Sequence, residues 1–360
     1  MPRKLVILLC LLVVCLLSAC LPDVVPTSFA ASPPSTAFFV YRFELPAFVG
    51  FSEDMQVTKE IPFSYPVNCG LFDTFPAPHG QTLAVELSCP NGQSVLFLDT
   101  ETGTISLPFS ATDSHFLAWQ SDGLAAYLKV DSLTAPRIVR AYVGGGQDEL
   151  PIPEFTYDLA ANPASNDVTF ALSRGLGYGS ELYLLNEEET TPQLLYSDPS
   201  NYLSFARFSP DGKKIAFIKI PDTQIPFTVG ELWVADADGA NARKLAEADA
   251  GHGYAVNWSP DGTKIAYVVR ENPEDEAANQ SSEALVSNIY IVEVASGGIT
   301  RLTSFEEGYA ETPHWSPDGN TLAFNVVING RMNVFIADVN SGEVKPLATE
   351  PACCPAWMRK

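Results

Sequence analysis

The chain has 360 residues and a formal net charge of −22 at pH 7, with 43 acidic against 21 basic side chains. A surface this acidic repels nucleic acid and anionic lipid, and no basic run relieves it, so nucleic-acid binding is excluded. The length exceeds what one compact core normally fills, which favours a repetitive architecture.

The first twenty residues predict an export signal rather than part of the fold. Arg3 and Lys4 precede an apolar run at residues 5–17, which is too short to cross a bilayer as a helix. The run ends in Leu17-Ser18-Ala19-Cys20, which resembles the lipobox of bacterial lipoprotein precursors. The resemblance implies that residues 1–19 are removed and that Cys20 becomes diacylated. An ordinary cleaved signal peptide with an accidental cysteine is the alternative.

Residues 20–36 predict a tether. They include Pro22, Pro26, Pro33 and Pro34 among small side chains that can bury little surface. A lipid on Cys20 would therefore hold a folded body, residues 37–360, on the cell membrane or outer membrane and facing outside the cytoplasm.

An internal repeat organises that body. Phe208, Trp258 and Trp315 are each followed by a copy of the same pattern, SPDGKKIAF, SPDGTKIAY and SPDGNTLAF respectively. Weaker copies lie upstream, and the proline position recurs at 78, 121, 163, 210, 260 and 317, with serine at 121. Spacings of 42 to 57 residues are close to the period of a four-stranded propeller blade, roughly 40 to 50 residues.

The residues inside one repeat predict four strands. An aromatic residue ends the first strand, and Ser-Pro-Asp-Gly turns the chain because proline fixes φ and glycine tolerates positive φ. A third strand, such as residues 232–234, precedes a second turn at Asp238-Gly239, and residues 243–245 form a short fourth strand. We interpret Asp122, Asp211, Asp261 and Asp318 as turn residues rather than catalytic carboxylates. No sustained helical period interrupts this pattern, so the predicted fold class is all-β.

The pattern W/F-S-P-D-G-x-x-I-A-F resembles the repeat of TolB, the propeller protein of the Tol–Pal system, over residues 72–358. The same repeat occurs in propeller domains of prolyl oligopeptidase relatives and in many surface lipoproteins. TolB carries an α/β domain before its propeller, which is not expected here, and no hydrolase domain is expected after the last blade. The resemblance therefore implies the fold but not membership of the Tol machinery.

The two ends of the body predict one composite blade. Residues 355–357 repeat residues 313–315, so a new blade begins where the chain stops. Residues 38–41, 48–51 and 57–61 resemble the remaining strands of that blade. Six repeats plus this composite predict a seven-bladed β-propeller, with six blades as the alternative, closed by N- and C-terminal strands.

Four cysteines remain after the lipidated one, which suits an oxidising compartment. Cys69 and Cys89 are placed symmetrically about His79 in a predicted hairpin turn, which favours a Cys69–Cys89 disulfide. Cys353 and Cys354 would then form a vicinal disulfide or stay as thiols. A bridge from Cys69 to Cys353 or Cys354, across the closing strand, is the competing arrangement.

Aromatic and acid–base residues recur at matched positions before the first strand of several blades. These segments surround one mouth of a propeller channel, so we predict a ligand-binding rim there. Its members are His115, Tyr157, Tyr202, His252, Tyr254, Tyr309 and Glu311. The alternative is that the tyrosines pack between blades.

These observations favour a membrane-anchored, monomeric scaffold that binds a protein, peptide or glycan at that mouth, without a cofactor or a metal. No nucleophile elbow, H-E-x-x-H motif or phosphate-binding glycine loop is present, so no catalytic residue is assigned. The alternative is a metal-dependent glycan lyase or hydrolase using His115, His252 and Glu311, although the net negative charge disfavours a polyanionic substrate.

Overall fold

A computed structural model describes residues 35–108, 113–131, 136–250, 256–348 and 350–359. The leader, Cys20 and most of the tether, as well as His252 and Tyr254, lie outside the described residues. Within the described ranges the regular structure is β-strand apart from one 3₁₀ turn, Ser282–Ala284, and no helix is long and apolar enough to cross a membrane. The all-β prediction is confirmed.

The strands form antiparallel four-stranded units, and within each unit the strands follow one another across the sheet from the first to the fourth. Blade 1 contains β4 (Gly70–Pro76), β5 (Thr82–Cys89), β6 (Gly92–Asp99) and β7 (Ile105–Ser106). Blade 2 contains β8 (Ser114–Trp119), β9 (Ala125–Val130), β10 (Arg137–Tyr142) and β11 (Gln147–Glu149). Blade 3 contains β12 (Thr156–Ala161), β13 (Val168–Ser173), β14 (Ser180–Leu185) and β15 (Gln193–Asp198).

The same order continues toward the C-terminus. Blade 4 contains β16 (Asn201–Phe208), β17 (Lys214–Pro221), β18 (Val229–Asp236) and β19 (Arg243–Asp249). Blade 5 contains β20 (Asn257–Trp258), β21 (Lys264–Arg270), β22 (Ser287–Glu293) and β23 (Ile299–Arg301). Blade 6 contains β24 (Tyr309–Trp315), β25 (Thr321–Ile328), β26 (Arg331–Asp338) and β27 (Val344–Pro346). One parallel pairing, between Ser287 of β22 and Tyr309 of β24, joins blades 5 and 6 into a continuous sheet.

The composite unit joins the two ends of the body, and we number it blade 7. Its order is β28 (Ala352–Trp357), β1 (Phe38–Arg42), β2 (Ala47–Phe51) and β3 (Val57–Pro62). β1 pairs antiparallel with β28, and Phe38 lies opposite Trp357 with their ring centroids 4.5 Å apart. The two ends of the body are thus hydrogen-bonded to each other in one sheet.

The Ser-Pro-Asp-Gly turns are held by their own side chains. In blade 5 the Ser259 hydroxyl donates to Asp261 at 2.6 Å, and the same carboxylate accepts the Thr263 backbone N–H at 3.0 Å. Gly262 has φ +70°, a left-handed conformation that favours glycine. Asp211 and Asp318 make the same contacts in their blades. Their bonding is that of turn residues.

The repeat tryptophans connect neighbouring blades. The Trp119 indole N–H donates to the Phe75 carbonyl of blade 1 at 2.9 Å, and the Trp258 indole donates to the Arg207 carbonyl of blade 4 at 3.0 Å. Trp315 and Trp357 bond the preceding blade in the same way. Blade 7 is therefore attached to blade 6 by the same contact that joins the internal repeats.

Both cysteine pairs are within bonding distance. Cys69 and Cys89 are bridged with their Cα atoms 4.1 Å apart, and the adjacent Cys353 and Cys354 form a vicinal pair. Cys353 and Cys354 are buried in the core between blades 7 and 1. This arrangement matches the favoured pairing, and non-reducing peptide mapping is its experimental test.

The strand directions define two faces. The first strand of each unit begins on the side that we call the front face, and the loops between second and third strands return to it. The Ser-Pro-Asp-Gly turns lie on the opposite side, the back face. The described members of the predicted rim therefore belong to the front face, near the starts of the first strands, and they are His115, Tyr157, Tyr202, Tyr309 and Glu311.

Candidate functional site

Tyr157 and Tyr202 form one pair of predicted rim residues. Their rings meet edge to face with centroids 6.0 Å apart, and the Tyr157 hydroxyl donates to the Leu203 carbonyl at 2.7 Å. Burial raises the pKa of the Tyr157 phenol above its usual value. Tyr157 therefore packs between blades 3 and 4, and Tyr202 stays half-buried beside it.

Glu311 and Tyr309 lie in β24. The Glu311 side chain is nearly buried, and the Asn325 amide donates to its carboxylate at 3.4 Å. The same Asn325 side chain accepts the Cys354 backbone N–H at 3.0 Å, which links blade 6 to blade 7. Burial, followed by the charge of Glu311, raises the pKa of Tyr309.

His115 lies among carboxylates from two blades. Its Nδ1 is 3.4 Å from Glu86 of β5, and its Nε2 is 3.3 Å from Asp131 and 3.7 Å from Asp113. The hydrogen bond with Glu86 raises the pKa of His115 above its usual value. Lys129 also contacts Asp131, at 3.0 Å.

The metal set that the sequence suggested, His115 with His252 and Glu311, is not assembled by the described residues. His252 lies outside them, as does Tyr254. The potential ligand atoms close to His115 come instead from Asp113 and Asp131, and Glu311 is not part of that group.

Asp73 is a half-buried acid that the sequence pattern did not single out. It lies in β4 three residues before the end of the strand, and burial, with added repulsion from Glu86 and Glu311, raises the pKa of its carboxyl to about 7. Asp158 has the equivalent position in blade 3 and accepts the Ala206 N–H of blade 4 at 3.0 Å. The sequence signal was an acid in an otherwise apolar strand, as Glu86 also is in LAVEL.

Left-handed backbone recurs at this same strand position. Phe205, Thr312 and Cys354 each lie three residues before the aromatic residue that ends the first strand, and their φ values are +57°, +48° and +63°. The strand registers shift at the bulges around Phe205 and Thr312. Such strain in non-glycine residues concentrates at functional sites and strand bulges.

The front face also carries most of the exposed apolar surface, which the sequence did not indicate. Of the fourteen large apolar side chains exposed among the described residues, nine lie there, and they are Phe43, Leu45, Val67, Phe72, Leu107, Phe155, Leu176, Tyr178 and Ile225. Val57, Ile105, Leu124, Leu194 and Ile299 lie on the back face or on outer strands.

Four of the nine side chains lie in front-face segments of blades 3 and 4, and we call them the blade 3–4 patch: Phe155, Leu176, Tyr178 and Ile225. Their exposed fractions are 71%, 68%, 69% and 44%. The turn that carries Leu176 and Tyr178 is fastened to blade 4, because the Asp222 carboxylate accepts the N–H groups of Gly177 and Gly179 at 2.7 and 3.3 Å. The patch is therefore presented on a hydrogen-bonded turn.

The repeated four-stranded sheets, joined blade to blade through the repeat tryptophans, define the class of protein as a β-propeller. A family model described as the TolB beta propeller domain matches residues 222–358. This match and the repeat together show that the chain is a TolB-like β-propeller.

Individual relatives cover parts of the chain. The uncharacterized peptidase YuxL of Bacillus subtilis is 36% identical over 103 residues, 28% of this chain and 15% of that protein. The Tol-Pal system protein TolB of Francisella tularensis subsp. holarctica is 32% identical over 135 residues, 37% of this chain and 28% of that protein. The matches span less than a third of either relative.

A solved oligogalacturonate lyase in complex with manganese has the same fold. It superposes with a TM-score of 0.57 at 15% identity, covering 87% of this chain and 84% of that one. At this level of identity the likeness concerns the fold alone.

Proposed function

We propose that the protein is a lipid-anchored, extracytoplasmic scaffold that binds a polypeptide partner on its front face. The observation that carries this proposal is the concentration of exposed apolar side chains on one face, above all in the blade 3–4 patch. Single exposed apolar residues are normal on a protein surface, whereas a concentration of them on one face is typical of interaction sites.

The composition of the patch favours a polypeptide over a glycan. Phe155 and Tyr178 offer the aromatic anchors that dominate protein interfaces. The relatives include TolB, whose name places it in the Tol-Pal system, and this supports a role in protein assembly without identifying the partner.

Replacing the patch tests this function. In the triple variant Phe155→Ser, Leu176→Ser, Tyr178→Ser, the amount of partner that co-purifies after crosslinking in cells should fall at least about tenfold. Interface anchors each contribute about 1–4 kcal/mol. The matched control replaces Leu124, Leu194 and Ile299, which are 65%, 49% and 50% exposed away from the front face. Equal recovery of the same partner with both triple variants would refute the proposal.

The anchor is a separate part of the proposal. Cys20→Ser should abolish acylation and move the protein from the membrane fraction to the soluble extract, because two acyl chains supply stable anchoring that a single chain does not. Carbonate-washed membranes, probed alongside a Ser18→Ala control that retains the cysteine, measure the difference. A Cys20→Ser protein that stayed with the washed membranes would contradict the lipoprotein assignment.

A further inference from the structure

The geometry points to a binding site for a zinc-like divalent cation on the front face between blades 1 and 2, with Asp113, His115 and Asp131 as ligands. One ligand atom from each of these residues lies within 4.8 Å of the others. The site requires no partner and is independent of the apolar patch.

The strand pairing explains why these three side chains meet. Asp113 immediately precedes β8, and Asp131 immediately follows β9. His115 lies opposite Lys129 in the β8–β9 pair, and the Asp131 N–H donates to the Asp113 carbonyl at 3.0 Å. Two carboxylates at neighbouring strand ends thus flank one imidazole.

The distances are compatible with a coordination sphere, in which Asp131 Oδ2 would exchange its contact with Lys129 for the ion, and Asp113 Oδ1 also accepts the Gln93 N–H at 3.2 Å. His115 Nε2 is 3.3 Å from Asp131 Oδ2 and 3.7 Å from Asp113 Oδ1. Two ligands each about 2.1 Å from a tetrahedral zinc ion lie about 3.4 Å apart, so an ion fits between these atoms with small side-chain shifts.

The other ring nitrogen has the partner that a metal-binding histidine needs. Glu86 Oε1 is 3.4 Å from Nδ1, and the Glu86 side chain is only 3% exposed. A carboxylate on Nδ1 fixes the tautomer that leaves Nε2 free to bind a metal and orients the ring. This buried acid in the core strand β5 is the second observation that supports a site.

The local charge also favours a bound cation. Glu86, Asp113 and Asp131 contribute three carboxylates, and the lysine that contacts them is Lys129, bound to Asp131. Asp113 packs against Gly92. A Cβ atom on residue 92 would lie 2.6 Å from the Asp113 carboxylate, so the glycine leaves room for this side chain.

The ligand atoms indicate which class of metal ion fits the site. Calcium and magnesium take oxygen ligands, whereas a mixed set of imidazole nitrogen and carboxylate oxygen suits zinc and its first-row neighbours. The side chains of His115, Asp113 and Asp131 are 33%, 39% and 30% exposed, so solvent reaches the remaining coordination position.

Metal titration of the tag-free, full-length protein in detergent tests the site. After stripping with a chelator, the protein should bind one equivalent of Zn²⁺ in competition with a chromophoric chelator, and at least about 100-fold more tightly than Ca²⁺. His115→Gln and Asp131→Asn should each weaken Zn²⁺ binding at least 100-fold. Glu86→Gln should weaken it about tenfold or more and keep the stoichiometry of one.

Control variants separate this site from other ligands. Asp122→Asn, in a back-face turn of the same blade, and His79→Gln and His252→Gln should leave Zn²⁺ affinity unchanged. Circular dichroism and the Tm of the metal-free variants verify folding, and Asp113→Asn supplies a further ligand variant. Absence of stoichiometric Zn²⁺ binding, equal affinity for Ca²⁺, or loss of binding only in the His79 or His252 variant would overturn the assignment.

Discussion

At the residue scale, Asp73 makes the stability of the folded protein decrease as pH rises. Its pKa is about 7 in the folded protein, chiefly because the half-buried carboxyl is desolvated, whereas an unfolded aspartate has a pKa of about 3.9. A raised carboxyl pKa favours folding at low pH, and this contribution is lost as pH rises from about 4 through 7.

The first prediction concerns Asp73→Asn. Asparagine keeps an oxygen for the Thr74 N–H, which donates to Asp73 at 2.7 Å, but it does not ionise. We expect the variant to gain stability relative to wild type as pH rises from 5 to 8, measured as the difference in Tm. Glu44→Gln, an exposed loop substitution, is the control. Parallel Tm profiles for wild type and Asp73→Asn would contradict the expectation.

His314 acts in the opposite direction. Burial lowers the pKa of its imidazole to about 4, and its Nε2 is buried without a hydrogen-bond partner among the described residues. An unfolded histidine has a pKa of about 6.5, so acid destabilises the fold through this residue as pH falls from about 6.5 to 4.

The second prediction is that His314→Asn reduces the loss of stability on acidification. Asn257 occupies the equivalent position in blade 5, also directly before the repeat tryptophan. Since one proton separates the two states over this window, the slope should change by at most about 1.4 kcal/mol per pH unit. Urea unfolding at pH 5 and at pH 7 measures the slope, and an unchanged difference between the two pH values would refute the role of His314.

At the element scale, the hydrogen bond from each repeat tryptophan connects its blade to the preceding one, at four of the junctions. Trp119→Phe should therefore destabilise the fold by about 1–2 kcal/mol, because the Phe75 carbonyl loses its indole donor in a largely buried place. Trp233→Phe is the matched control, since the Glu231 carboxylate that accepts its indole N–H also binds Lys244. Equal losses in the two variants, measured by urea unfolding, would argue against a special role of the blade-to-blade bond.

The repeat predicted the elements well because each blade is specified locally. Ser259, Asp261 and Gly262 determine their turn within a few residues, so strand ends could be located from the pattern alone. The partner of the Trp258 indole, by contrast, lies 51 residues away in another blade. That contact could not be assigned from spacing alone.

The candidate site was predicted less completely for the same reason. Matched spacing identified His115 and Tyr157, but spacing cannot distinguish a ligand-facing side chain from one that packs between blades, as Tyr157 does. The apolar patch was not predicted because Leu176 and Tyr178 lie in a turn, and spacing alone shows neither their exposure nor the hydrogen bond that Asp222 of blade 4 makes to that turn.

At the scale of the whole molecule, ring closure depends on β28. Deleting residues 353–360 removes nearly all of this strand, including Trp357, whose indole N–H donates to the His314 carbonyl of blade 6 at 3.2 Å. We expect either no cooperative unfolding or a Tm lower by more than about 10 °C, because several kcal/mol of packing would be lost. Deleting residues 359–360 is the control, and an eight-residue deletion that melts like wild type would contradict closure.

The central claim is that the front face is where a partner binds. A photo-crosslinking amino acid placed at Tyr178 or Phe155, and in separate variants at Leu194 or Ile299, tests it in cells with the anchored protein. These positions are all well exposed, so they differ mainly in the surface to which they belong. We predict that the two front-face positions yield an adduct with the same partner protein and that the two outer-strand positions do not. Adducts of equal yield from all four positions, or from the outer-strand positions alone, would contradict the claim.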